Sequence, residues 1–223
     1  PTLAFKDFAA RFMARCMEHL LSEEITILVA TSGDTGSAVA NGFFGLDGIQ
    51  VVILYPSGRV SATQEQQLTT YGGNITALEV EGSFDDCQYM VKEAFLDKGV
   101  NQQRSLSSAN SINIARLLPQ SVYYAWAWKQ ISIDQPIVFS VPSGNFGNLT
   151  GGILAKHMGL PIEKFIAATN ANEVFPKFLS TGKFNPMPSK QTISNAMDVG
   201  KPSNFDRILK IYNENLNEIR RDL

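Results

Sequence analysis

Apolar runs of strand length alternate with amphipathic stretches of helical period along most of the chain. The predicted strands are ITILVA (25–30), QVVILY (50–55), NITALEV (74–80), PIVFSV (136–141) and KFIAAT (164–169). Between them, FAARFMARCMEHLL (8–21) and FDDCQYMVKEAFLDKG (84–99) have the period of helices that cover a sheet, and the second ends on Gly99 as a helix C-cap would. This alternation predicts an α/β fold in which parallel sheets carry helices on their faces.

The segment SIDQP (132–136) contains turn-forming residues where one lobe could pass to another. We therefore expect a smaller lobe over residues 1–133 and part of a larger lobe over 134–223. The last twenty residues, NFDRILKIYNENLNEIRRDL, predict one amphipathic helix that lacks part of its packing surface. Its apolar positions are Phe205, Ile208, Leu209, Tyr212, Leu216 and Ile219.

Charge and composition exclude several classes of function. The formal net charge is −2 and the basic residues are dispersed, so nucleic acid is not an expected partner. No apolar run approaches the roughly 18 residues of a membrane helix, so no membrane partner is expected. Cys16 and Cys87 lack metal-ligand spacing and indicate reduced thiols of a cytoplasmic protein, and His19 and His157 are isolated. No metal site is expected.

Two glycine-rich turns follow predicted strands and lead into helices. TSGDTGSA (31–38) follows the first strand, and PSGNFGNLTGG (142–152) follows PIVFSV. Glycines allow successive N–H groups to point at one spot, where the helix dipole also favours an anion such as phosphate or carboxylate. Neither turn has the P-loop or the G-x-G-x-x-G spacing, so ATP and NAD are disfavoured. A single such turn is also compatible with a simple connection in the sheet.

A third segment, SSANSINIAR (107–116), places Asn110, Ser111 and Asn113 at the start of a helix and Arg116 about one turn further along. A guanidinium beside a polar helix N-terminus can clamp a phosphate through paired hydrogen bonds. A capped helix with a surface arginine is the alternative. Pro119 should kink or restart this helix, which affects the direction in which Arg116 points.

Lys6 lies between two phenylalanines in PTLAFKDF, close to the start of the chain. By itself, such a lysine is usually an exposed residue at a helix start, with its stem packed on its neighbours. In apolar surroundings, however, a lysine amine has a lowered pKa and becomes nucleophilic enough to form a Schiff base. Pyridoxal phosphate requires such a lysine together with a glycine-rich phosphate site. The combination of Lys6 with the glycine turns therefore makes this cofactor a credible candidate.

The motifs resemble those of the threonine synthases, which are fold-type II pyridoxal-phosphate enzymes. The resemblance covers almost the whole chain through PTLAFKDF, ATSGDTGSAVA, VVILYP, GGNI, SANSIN, VPSGNFGNLTGG, AATNAN and ISNAMDV. It implies a tryptophan-synthase-β-like core of two lobes with twisted parallel sheets and flanking helices. It also implies that Lys6 is the catalytic lysine that binds pyridoxal 5'-phosphate.

The resemblance implies the other site residues as well. The cofactor phosphate would lie in the cup Gly144, Asn145, Phe146, Gly147 and Asn148, and Asp34 would bind on the side of the ring hydroxyl. The substrate carboxylate would lie against Ser32, Gly33 and Thr35. The substrate phosphate would be held by Asn110, Ser111, Asn113 and Arg116.

The implied reaction converts O-phospho-L-homoserine and water to L-threonine and phosphate. Two alternatives remain. The chain could belong to a related phospho-lyase that releases a keto acid and ammonia, or it could be an inactive part of the enzyme. Because members of the family continue beyond both ends of this chain, the resemblance implies an internal fragment.

Overall fold

The computed structural model describes residues 1–131 and 135–223, which form two compact units, Pro1–Arg116 and Leu117–Leu223. The predicted lobe boundary at 133/134 falls outside the described residues and stays a prediction. The two compact units meet earlier in the sequence, between Arg116 and Leu117.

The first unit contains a four-stranded parallel sheet in the order β3-β2-β1-β4. The strands are β1 (Ile25–Ala30), β2 (Ile49–Pro56), β3 (Ile75–Val80) and β4 (Leu106–Ser108). The helices of this part of the chain are α1 (Lys6–Leu20), α2 (Asp34–Phe43), α3 (Ala62–Thr69), α4 (Phe84–Leu96), α5 (Lys98–Gln103) and α6 (Ile114–Leu117).

The core of the first unit lies between the inner strands and helices α1 and α2. The strand residues Ile27, Val29 and Ile53 are completely buried. Helix α1 turns its small residues toward α2, and the two helices approach so closely that a Cβ on Gly42 would lie 3.2 Å from the carbonyl carbon of Ala10. This packing fixes how the first residues of the two helices lie relative to each other.

The second unit contains a two-stranded parallel sheet formed by β5 (Ile137–Pro142) and β6 (Ile162–Ala168). Its helices are a short 3-10 turn (Leu118–Gln120), α7 (Ser121–Gln130), α8 (Gly147–His157), α9 (Val174–Thr181), a second 3-10 turn (Asn195–Met197), α10 (Phe205–Ile211) and α11 (Leu216–Asp222). An aromatic core includes Tyr124, Phe165 and Phe175, and the rings of Tyr124 and Phe165 meet edge to face with centroids 5.8 Å apart.

The alternating parallel architecture is confirmed, and both glycine turns follow the carboxyl ends of strands. The structure adds the strand β4, whose three residues are too few to produce a periodic pattern. The expectation that Gly99 ends the fourth helix is wrong. Helix α4 ends at Leu96, and the Asp97 side chain accepts a hydrogen bond of 2.9 Å from the Val100 amide, so that Gly99 lies inside α5.

The prediction of one uninterrupted C-terminal helix is also wrong. Asn213 and Glu214 have φ values of 50° and 62°, which interrupt the helical path between α10 and α11. The break lets both short helices pack on the second unit. Four of the six apolar positions are buried, namely Phe205, Ile208, Tyr212 and Ile219, and Leu209 and Leu216 pack against the same core. The expected shortage of packing surface is therefore not found.

Pro119 restarts the helix, as predicted: α6 ends at Leu117, a 3-10 turn contains the proline, and α7 follows. Cys16 and Cys87 are free thiols, and burial raises the pKa of Cys87 to about 11. Within residues 1–131 and 135–223, no helix is long and apolar enough to cross a membrane. The same residues contain no cluster of side chains suited to a metal ion.

Candidate functional site

The turn that follows β1 is shaped by Thr31, which is completely buried. Its hydroxyl oxygen accepts hydrogen bonds from the amides of Gly33, at 2.9 Å, and Gly36, at 2.8 Å. Gly33 has a φ of 131°, a conformation that favours glycine, and the next residue, Asp34, begins α2. Sequence reasoning missed Thr31, although a threonine directly between a buried strand and a glycine turn is a useful signal.

Lys6 and Asp34 are the first residues of α1 and α2, and their side chains form an ion pair. The Lys6 amine lies 3.4 Å from one Asp34 carboxylate oxygen, and the Lys6 side chain is only 14% exposed. The same amine lies 4.7 Å from the centre of the Phe5 ring. The predicted lysine is therefore an inward-facing amine with a carboxylate and an aromatic ring beside it.

The surroundings of Lys6 lower the pKa of its amine. Burial is the main cause, since removing the ammonium from water disfavours the charged form. The positive charge of Arg116 lowers the pKa further, whereas Asp34 acts in the opposite direction through its charge and hydrogen bond. The result is an amine that loses its proton more easily than an exposed lysine and that lies in a site with a second positive charge.

Gln64 is a second partner of Asp34 that sequence reasoning missed. Its side-chain nitrogen donates to the other Asp34 carboxylate oxygen at 2.7 Å, and its oxygen accepts from the Ser61 amide at 2.9 Å. Both ends of the Gln64 amide are thus used, one for Asp34 and one for the cap of α3. A Cβ on Gly33 would collide with this amide, so the glycine also makes room for Gln64.

The segment 107–116 is attached to the same end of β1. The Asn110 side chain donates to the Ala30 carbonyl at 2.6 Å and accepts from the Ala30 amide at 3.1 Å. The Asn113 side chain donates to the Ser108 carbonyl at 2.8 Å. These two amides hold the backbone in place, which is a different contribution from the direct phosphate contacts that the resemblance implies.

Arg116 is 2% exposed, and its guanidinium donates to the carbonyl of Ala109. Arg116 is the one charged residue among the predicted substrate residues, and its positive charge acts on the Lys6 amine. Ser32, Thr35 and Ser111 are partly buried, and Ser32 and Thr35 flank the Gly33–Asp34 step of the turn. The first unit therefore gathers the predicted lysine, the aspartate and a buried cation around the carboxyl end of β1.

The second glycine turn lies in the second unit and leads from β5 into α8. Phe146 has a φ of 59° and directly precedes α8, and no side-chain hydrogen bond from the described residues caps this helix. The Phe146 ring packs against Phe175 at a centroid distance of 4.5 Å. The first amides of an eleven-residue helix, preceded by a glycine loop, are suited to bind a phosphate.

The asparagine side chains of this loop form hydrogen bonds within the protein. Asn145 accepts from both the amide and the hydroxyl of Ser203. Asn148 accepts from the Tyr124 hydroxyl at 2.8 Å and donates to Gln120 at 3.1 Å. These partners, 24 to 58 residues away along the chain, were not predicted. The loop therefore offers backbone amides to a phosphate, while its asparagine side chains fix its shape.

A family model described as pyridoxal-phosphate dependent enzyme matches residues 1–221. The threonine synthase of Buchnera aphidicola subsp. Acyrthosiphon pisum (strain APS) is 54% identical over 216 residues, which are 95% of this chain and 50% of that protein. The threonine synthase of Escherichia coli (strain K12) is 49% identical over 223 residues, 99% of this chain and 52% of that protein. The chain thus spans about half the length of the curated relatives it matches.

Two solved structures have the same fold. The crystal structure of threonine synthase from Escherichia coli has a TM-score of 0.94 and 48% identity, and the match covers 100% of this chain and 53% of that one. Threonine synthase from Brucella melitensis, solved with pyridoxal phosphate bound, has a TM-score of 0.85 and 44% identity, and the match covers 99% and 49%. The fold-type II architecture predicted from the motifs is confirmed.

Proposed function

Because the chain belongs to the family of pyridoxal-phosphate dependent enzymes, we propose that it carries out the conversion of O-phospho-L-homoserine and water to L-threonine and phosphate. The observation that carries the proposal is the buried Lys6 amine, which has a lowered pKa and is paired with Asp34. Relatives at 49% and 54% identity are threonine synthases, which supports this reaction over others of the family.

The residues present suit the cofactor. Lys6 offers a buried amine for its aldehyde, and the loop Gly144–Asn148 offers the N-terminal amides of α8 for its phosphate. Asp34, which is held from its other side by Gln64, is the group that we assign to the ring hydroxyl side. When bound, pyridoxal phosphate supplies an aldehyde that captures the substrate amine and a ring that withdraws electrons from the α-carbon.

The chain's own contribution to the reaction is the movement of protons. With its pKa lowered by burial, the Lys6 amine can accept a proton from a carbon of the substrate at moderate pH and later return it. Asp34 opposes the loss of charge and stabilises the protonated amine between these transfers. Lys6 would thus act first as general base and then as general acid at the α- and β-carbons.

Arg116 is the residue that we assign to the substrate phosphate. Its guanidinium stays charged at any working pH and interacts electrostatically with the Lys6 amine. A cation in this place attracts a phosphorylated substrate and stabilises the charge that grows on phosphate as it leaves. Asn110 and Asn113 would support this contact by holding the segment 107–116 to the end of β1.

The test compares Lys6→Ala with an exposed control, Lys92→Ala, in the protein loaded with pyridoxal phosphate. Phosphate release and threonine formation from O-phosphohomoserine are measured together. We expect Lys6→Ala to reduce both by at least about a thousandfold because the amine is lost, and Lys92→Ala to change neither. Full activity in Lys6→Ala would refute the mechanism. Release of ammonia and a keto acid in place of threonine would identify a phospho-lyase and refute the reaction.

A further inference from the structure

Two of the motifs, AATNAN (167–172) and ISNAMDV (193–199), have no role in the reaction described above. The structure brings them together in a polar cluster, which we call the Asp198 cluster and which consists of Asn170, Asn172, Thr192 and Asp198. Asn172 binds both the amide of Lys190, at 2.7 Å, and the carbonyl of Lys190, at 3.0 Å. The cluster thus ties the loop after β6 to the segment 190–198.

Asp198 is the centre of the cluster and is 9% exposed. One carboxylate oxygen accepts from the Thr192 hydroxyl at 2.7 Å and from the Asn170 side chain at 2.8 Å. The other oxygen accepts from the Thr192 amide at 2.8 Å. Both oxygens receive donors, so the site requires a carboxylate: an amide would direct its own N–H groups at one of these donors.

The segment that contains Asp198 lies directly against the glycine loop. A Cβ on Gly144 would lie 2.7 Å from the Cα and 2.8 Å from the carbonyl oxygen of Met197, the residue before Asp198. A little further along the chain, Ser203 donates to the Asn145 side chain, and Asn204 donates to the Asn145 carbonyl at 2.9 Å. Two consecutive loop residues are therefore held by residues 197–204.

We propose that Asp198 is a positioning residue for the phosphate loop. By fixing residues 192–198, it keeps the Met197 backbone against Gly144 and thereby sets the direction of the first amides of α8. Hydrogen bonds to a buried carboxylate are strong and directional, which suits a support that has to hold a backbone within fractions of an ångström. The proposal rests on the proposed function, because it assumes that the loop binds the cofactor phosphate.

The test measures the affinity for pyridoxal phosphate by fluorescence titration and the environment of the bound phosphate by ³¹P NMR. The variants are Asp198→Asn, Thr192→Val, which removes the hydroxyl donor, and Thr192→Ser, which keeps it. Asp222→Asn is the matched control, since Asp222 is a buried carboxylate of the same unit that is bound to Lys156 and Tyr212. Gly147→Val, in the loop itself, tests the cofactor site independently.

We expect Asp198→Asn and Thr192→Val to weaken cofactor binding about tenfold or more and to move the ³¹P resonance of the cofactor that remains bound. Thr192→Ser should keep the cofactor affinity and the ³¹P resonance of the unchanged protein. Asp222→Asn should lower thermal stability without moving the resonance. If Asp198→Asn does not fold, the proposal is tested by comparing Thr192→Val, which lacks the hydroxyl donor to Asp198, with Thr192→Ser, which keeps it.

If Gly147→Val abolishes binding while Asp198→Asn and Thr192→Val bind as the unchanged protein does, the positioning role is wrong and the phosphate loop stands. If Gly147→Val itself has no effect, the phosphate loop is wrong and the positioning role falls with it. An equal change of the resonance in Asp222→Asn would reduce Asp198 to a structural residue and would also overturn the proposal.

Discussion

At the scale of single residues, opposing effects set the properties of the Lys6 amine. Burial and the charge of Arg116 favour the neutral amine, whereas Asp34 favours the ammonium, and the net result is a lowered pKa. A protein gains no stability from such an arrangement, because the charged amine is less stable inside the fold than in the unfolded chain. Such an arrangement is typical of amines that are used for chemistry.

This imbalance predicts how stability depends on pH. Between the lowered pKa of folded Lys6 and the ordinary value of about 10.4, the unfolded chain binds more protons than the folded one, so stability rises with pH. In Lys6→Met this contribution is absent. The free energy of unfolding of the cofactor-free protein is measured by chemical denaturation from pH 7 to 10.5. The unchanged protein should become more stable relative to Lys6→Met as the pH rises. The stability of the exposed control Lys92→Met should follow that of the unchanged protein. A parallel course for Lys6→Met would contradict the lowered pKa.

At the scale of helices and strands, periodic patterns predicted most of the fold. Five of the six strands found in residues 1–131 and 135–223 were predicted to within two residues at each end, because each is an apolar run bounded by turns. The short β4 escaped because three residues show no period. The break at Asn213 and Glu214 escaped because the apolar period of Tyr212, Leu216 and Ile219 continues across it. Asn213 is of a residue type that adopts positive φ readily, whereas Glu214 is a good helix former.

The candidate site was predictable to a similar depth. Lys6, Asp34 and the glycine loop lie in local motifs, and the structure brings Lys6 and Asp34 together as an ion pair. Gln64 and Ser203 could not be found in this way. They reach their partners across 30 and 58 residues of chain, and such contacts exist only once the strands and helices are in place.

The Asp222 carboxylate connects α11 to Lys156 of α8 and to Tyr212 at the end of α10. Burial alone would raise the pKa of Asp222, but hydrogen bonds from Lys156, Arg221 and Tyr212 outweigh burial and lower it. The stability from this carboxylate is present above the unfolded value of about 3.9 and is lost as the pH falls through the lowered folded value. Asp222→Asn should therefore cost about 1–3 kcal/mol at pH 7 and less near pH 2.

Unfolding by urea at both pH values measures this cost. Asp206→Asn on the neighbouring α10 is the control, because Asp206 is exposed and should change stability by less than about 0.5 kcal/mol at either pH. A cost for Asp222→Asn that is equal at pH 7 and pH 2 would mean that the carboxylate charge has no part in holding α11.

At the scale of the whole molecule, the described chain has two hydrophobic cores, one in each unit. Helix α7 belongs to the second unit, since Tyr124 packs on Phe139 and Phe165 and its hydroxyl donates to Asn148. Helix α7 thus precedes the predicted boundary at 133/134 but packs in the core of the second unit. We propose that the change of lobe comes before α7, near Leu117, in place of the position at 133/134.

Phe165→Ala tests this division. Removing a completely buried ring should cost about 3–5 kcal/mol, and the loss should be felt by the residues that share its core. In Phe165→Ala, hydrogen exchange measured by mass spectrometry should therefore accelerate in peptides from α7 onward and change little in β1 and β2. In Ile53→Val, exchange should accelerate in β1 and β2 and change little from α7 onward. Faster exchange that begins only after residue 134 would restore the original boundary.

The close approach of α1 and α2 at Gly42 links the packing of the two helices to the position of Lys6, the first residue of α1. Gly42 is eight residues from Asp34, about 12 Å along the helix. Any side chain there has to push against the backbone of Ala10 and Arg11, and α1, which begins with Lys6, would move with them. We therefore expect Gly42→Ala to displace the start of α1 by a few tenths of an ångström, so that a glycine distant from Asp34 helps to set the position of the Lys6 amine.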